Sequence, residues 1–140
     1  MIWRRREDGQ SLVETALALP LLVFLLIGGA DFARAFSVQV GVLNAARAGV
    51  EAAVTRAPGV TLPVVADDPA VIAYARDELG RVPGVDGSAA TITVAHTTGA
   101  GGELLTTVRV RYTHRTVVPW PLIPNTLALD RSATFRRFSP

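Results

Sequence analysis

The most pointed combination of reactive groups in this chain stands near its start. Gly9 precedes Glu14 by five positions, and Glu14 is the only charged residue in the apolar run 11–30. A carboxylate placed in lipid costs at least ~2.5 kcal/mol on insertion scales, so it demands a partner or a role. The Gly9-Gln10 peptide bond lies just ahead of it. Cutting there would put Glu14 fifth in the shortened chain and create an α-amino group on Gln10. In a low-dielectric setting that amine, on the same chain or a neighbour, would attract Glu14 and partly offset the cost of the charge. Such pairing would also set axial register between helices lying side by side. The competing placement puts Glu14 at headgroup depth beside Arg4, Arg5 and Arg6.

Other candidate chemistry is thin. His96 and His114 are the only histidines, and two imidazoles without a third clear ligand make a poor metal site. Asp67-Asp68 suits a helix cap, and Asp77-Glu78 suits a solvated helix face near Arg76 and Arg81. Residues 99–102 are glycine-rich but lack the lysine and following helix of a phosphate loop, so they read as a hairpin turn. No serine or threonine is marked as a nucleophile beside a base. The absence of cysteine removes disulfides, thiol catalysis and thiolate metal sites together. The expectation is a protein without catalytic activity, cofactor or metal. All 14 cationic residues are arginine, balanced by 12 carboxylates, so the pI near 9.9 reflects arginine's high pKa. The arginines are scattered, which speaks against a nucleic-acid footprint.

The elements that must position these groups follow from periodicity. Residues 11–30 would span roughly the 30 Å of a bilayer's hydrocarbon core as a helix. Arg4, Arg5 and Arg6 before it favour a cytoplasmic N-terminus and an extracytoplasmic remainder. The helix is expected to continue through 31–55, with Phe32, Phe36, Val40, Leu43, Val50 and Val54 as one apolar stripe interrupted by Arg47. Arg47 there calls for a partner carboxylate or snorkelling. Small residues at four-residue steps, Gly41/Ala45/Gly49 and Ala45/Gly49/Ala53, allow another helix or a sheet to approach closely. Ala57-Pro58-Gly59 ends the helix, and the stretch up to Asp67 reads as loop. Asp68-Pro69 caps a short amphipathic helix that uses Val71, Ile72, Ala75 and Leu79 and stops at Gly80. Residues 82–89 form a turn-rich connector.

The period then shifts to two. Residues 91–96 and 105–113 alternate around the glycine turn, giving a β-hairpin with Val108, Val110 and Tyr112 on a buried face. Pro119-Trp120-Pro121-Leu122-Ile123-Pro124 reads as a connecting loop, and 127–138 as a third strand with Leu129, Arg131, Ala133, Phe135 and Arg137 on one side. The fold class is therefore α+β: a long N-terminal transmembrane helix continuing into a small extracytoplasmic domain with one short helix and a three-stranded antiparallel sheet. Its organisation is a leader at 1–9, the long helix at 10–56, and the small domain at 57–140.

Three mechanisms use an apolar segment behind arginines. A removable secretory signal has a foothold in Ala33-Arg34-Ala35, which fits a small-x-small cleavage pattern, but the apolar stretch exceeds the usual length and Asp31 and Arg34 crowd the site. A plain anchor would leave the start intact. A leader of prepilin type, cut after Gly9, accounts for the most residues. The alternative function is a secreted or membrane-anchored extracytoplasmic binding domain whose first residues only deliver or tether it.

Gly9-Gln10-Ser11-Leu12-Val13-Glu14, the run Ala16-Leu17-Ala18-Leu19-Pro20-Leu21-Leu22, Asp31-Phe32-Ala33-Arg34-Ala35-Phe36 and Asn44-Ala45-Ala46-Arg47-Ala48-Gly49 together resemble the TadE-like family of pseudopilins from tight-adherence, Flp-type pilus systems. The resemblance covers roughly residues 9 to 55. It implies a pilin-like minor pilin of the bacterial inner membrane, cut by a prepilin peptidase between Gly9 and Gln10, with Glu14 as the family's glutamate. The implied helix-packing positions are Pro20, Gly28, Gly29, Asp31, Arg34, Asn44, Arg47 and Gly49. The implied partners are the peptidase, other pilins and pseudopilins, inner-membrane assembly proteins and the lipid bilayer. Thr15 departs from the pattern, since an aromatic often follows the glutamate in this group.

Overall fold

The computed structural model describes residues 4–55, 57–60, 65–120 and 124–137. Helix α1 (Arg4–Thr55) is followed by α2 (Pro69–Gly80), a single 3-10 turn at Gly87–Ala89, and strands β1 (Thr91–Thr98), β2 (Leu104–Arg115) and β3 (Thr126–Arg137). The architecture is α+β, as the periodicity indicates. Contacts group into two units, Met1–Arg34 and Ala35–Pro140.

In the first unit α1 is an unbroken helix rich in Leu, Ala and Val, all good or tolerated helix formers. Pro20 lies inside it. Lacking an N–H, Pro20 leaves the Ala16 carbonyl without its usual partner, a defect that membrane helices tolerate where neighbours or local adjustment compensate.

In the second unit the strands form a meander in the order β1-β2-β3, antiparallel throughout, with Val94 opposite Val108 and Val110 opposite Arg131. β1 and β2 bury alternate residues, so one face of the sheet meets the helices and the other meets solvent. The core joins Val38, Val42, Ala45, Ala46, Val50 and Ala53 of α1 to Val71, Ala75 and Leu79 of α2 and to Ile92, Val94, Val108, Val110 and Leu129 of the sheet. The face that α1 buries keeps Val50 and Val54 of the expected stripe, but Phe32, Phe36 and Val40 are exposed, and the small-residue face expected to allow close approach is turned inward. Close approach is the reason: a Cβ added to Gly49 would lie 3.1 Å from both Ala75 Cβ and Val108 Cγ1, and one added to Gly41 would collide with Val82. Phenylalanines on that face would hold the layers apart.

Local chemistry sets the boundaries. α1 ends at Thr55, and Gly59 takes φ +87 just beyond the Ala57-Pro58 pair. Asp68 Oδ1 accepts hydrogen bonds from the N–H groups of Ala70 (2.8 Å) and Val71 (3.4 Å), with Pro69 at the first helical position. The β1–β2 turn closes through Gly99 N–H to Glu103 O (2.8 Å), with Gly102 at φ +81. The third strand is regular and full length, though its alternation in sequence is weak, because β2 supplies a complete ladder for it. The central parts of the loops expected before Asp67 and between Pro119 and Pro124, at 61–64 and 121–123, lie outside the described residues.

Candidate processing and assembly segment

The side chains of Arg4, Arg5 and Arg6, and with them the headgroup placement of Glu14 beside arginines, lie outside the described residues. From Gly9 onward the segment is open. Among the described residues, a Cβ added to Gly9 would meet nothing within 4 Å. Gln10 and Glu14, four positions apart, face the same side of α1. The Gln10 amide Nε2 donates to Glu14 Oε1 at 2.9 Å, with both side chains exposed. Thr15, the departure from the family pattern, returns its hydroxyl to the Ser11 carbonyl at 2.9 Å. That contact satisfies the hydroxyl within the helix, where lipid offers no acceptor.

Large apolar side chains from Leu12 to Ile27 are exposed without interruption. The helical stretch Gly9–Thr55 contains a window long and apolar enough to cross a membrane, and none of that window is buried by the protein. Hydrocarbon left bare over such a length is stable only if something other than water covers it.

The remaining positions expected in packing separate into groups. Pro20, Gly29, Arg34, Asn44 and Arg47 are exposed, and Gly28 is half-buried. Asp31 is buried, at 6% exposure. Gly49 packs closely against Ala75 of α2 and Val108 of β2. No described carboxylate forms an ion pair with Arg47, whose side chain lies in solvent.

Polar chemistry elsewhere holds the fold together. On the solvent face of the sheet, Asp130 accepts from Arg109 Nε and Nη2, both at 2.7 Å, and from Arg111 Nε at 3.0 Å. The Arg109 bonds, aided by Arg111 and opposed by partial desolvation, push the Asp130 carboxyl down to about 2. His96 Nε2–H reaches the Val65 carbonyl at 3.2 Å while its Nδ1 pairs with the Thr106 hydroxyl at 3.0 Å. His114 is buried in the sheet's inner face, and its Nε2 meets no partner among the described residues. Asp77 pairs with Arg81 at 2.9 Å across an exposed helical turn. Among the described residues no group of three or more potential ligands could hold a metal ion.

Asp67 is the structural residue that the sequence hides. It takes φ +52, donates its N–H to the Val94 carbonyl at 3.1 Å and accepts the Val94 N–H on Oδ1 at 2.9 Å. With the His96 contact, this covers the middle of the outer edge of β1. An Asp in a loop before a capping Asp is a weak hint of such a role, since Asp tolerates this backbone region better than most residues.

Residues 9–51 match the family model described as TadE-like protein. The matched segment coincides with α1 from the Gly9-Gln10 bond to just past Gly49 and takes in every expected packing position. No curated protein and no solved structure matches the chain.

Proposed function

We propose that this protein is a minor pilin of TadE type, held in the bacterial inner membrane by α1 and acting without catalysis in the assembly of tight-adherence, Flp-type pili. Its N-terminus faces the cytoplasm, its sheet faces the periplasm, and a prepilin peptidase removes the leader between Gly9 and Gln10. Its membrane helix then contacts other pilins, pseudopilins and assembly proteins. The observation that carries this reading is the coincidence of the TadE-like segment with a bare apolar helix that begins at an accessible Gly9 and sets Glu14 five positions later. The length of that helix supports anchorage, and the arginines at 4–6 support its orientation.

N-terminal sequencing of membrane-extracted protein tests the proposal. A chain starting at Gln10 supports it, a start at Phe36 points to a secretory signal, and an intact start leaves a plain anchor. Gly9→Ala sharpens the test because a methyl there touches nothing among the described residues. The variant should insert and fold as the parent does yet retain its leader, and normal trimming of it counts against the peptidase.

A further inference from the structure

We propose that Glu14 keeps the mature N-terminus a free amine, by holding the Gln10 side-chain amide away from the nitrogen that would otherwise consume it. The inference rests on cleavage after Gly9. Once Gln10 is the first residue, its unprotonated α-nitrogen can attack its own Cδ. The N–Cδ bond forms, the Cδ–Nε2 bond breaks, and Nε2 leaves as ammonia with a proton given up by the amine. The product is a pyrrolidone lactam with no basic nitrogen, and no co-reactant is needed. Closure would erase the positive charge that could answer Glu14.

The geometry opposes closure. Gln10 Nε2 donates to Glu14 Oε1 at 2.9 Å, one helical turn further on. To reach its own nitrogen, Cδ must give up that bond and swing the side chain back toward the chain start. The bond is charge-assisted, hence stronger than a neutral pair, and donation to a carboxylate leaves the amide carbon richer in electrons and a poorer target. Glu14 has a second oxygen with which to attract the new ammonium, and an amine held in that form is not a nucleophile. The two effects act on opposite ends of the same ring closure. They also give the glutamate a chemical duty within one chain, separate from any register it sets between chains.

The test follows lactam formation in the mature protein. Wild type, Glu14→Ala and Glu14→Gln are extracted from membranes in detergent and incubated at neutral pH, and the N-terminal peptide is followed by mass spectrometry for loss of one ammonia. Gln10→Ala, which has no amide to close, sets the baseline. Glu14→Ala should cyclise roughly two- to fivefold faster than wild type, the lower bound set by an exposed helical pair and the upper by a low-dielectric one. Glu14→Gln should fall between. Equal rates in wild type and Glu14→Ala, or a wild-type N-terminus already fully closed on extraction, overturn the proposal while leaving cleavage intact. Recovery of the uncut leader overturns both.

Discussion

Asp130 illustrates how a surface residue acquires a pH signature. It sits between two guanidiniums, bound twice by Arg109 and once by Arg111, and its carboxyl is pushed down to about 2. A depressed carboxyl stabilises the folded state fully above its unfolded value, near 3.9, and loses that contribution as pH falls through the folded value. Thermal melts of the detergent-solubilised protein should therefore show an acid-sensitive component between about pH 4 and pH 2 that Asp130→Asn removes. The variant should melt lower than wild type at neutral pH and converge with it in acid. Parallel curves across that window would refute the assignment. The site is half exposed, so the effect should shrink as salt is added.

At the scale of elements, loop 65–67 covers the middle of the β1 edge. Asp67 exchanges two hydrogen bonds with Val94, and His96 adds a third tie to Val65. Replacing Asp67 by Ala removes the acceptor of the Val94 N–H and puts a less suited residue at positive φ. Each loss costs about 1 kcal/mol. Asp67→Asn keeps an acceptor and tolerates the backbone, so it should retain most of the stability, and hydrogen exchange at Val94 should speed up in the Ala variant alone. This clasp shows where legibility ends. The short helix was readable because Asp68-Pro69 is a local start signal, and the hairpin because β2 alternates strictly. The TadE-like segment was readable because its pieces lie close together in sequence. The inward face of α1 was readable in part: the four-residue spacing of Gly41, Ala45 and Gly49 marks a place of close approach, whereas hydrophobicity alone favours Phe32, Phe36 and Val40, and Gly49 meets Val108 of a strand more than fifty positions away. The Asp67 clasp, the His96 bonds and the Asp130 bridge are likewise long-range pairings, invisible to a local reading.

For the whole molecule, the two units divide the physical tasks. Among the described residues, the buried hydrophobic cluster of the second unit runs from Val38 to Leu129. The apolar run from Leu12 to Ile27 supplies none of that core and is exposed throughout. A fragment spanning Ala35–Pro140 should therefore stay in solution without detergent and unfold in one cooperative transition, whereas the full chain should require a bilayer or micelle. About a hundred residues with no disulfide can be expected to reach a stability of order 5–10 kcal/mol by packing alone. Circular dichroism melts in the near and far ultraviolet, with size-exclusion chromatography, decide the matter. Coincident transitions from a monomer support independent folding. Retained helix without fixed aromatic signals would mean that the first unit completes the fold. Phe36 and Val40 remain at the surface of this fragment, at 58% and 41% exposure, and form its main apolar patch on α1. Replacing both with serine should reduce any association at high concentration while leaving the melting temperature within a few degrees, because neither side chain belongs to the core.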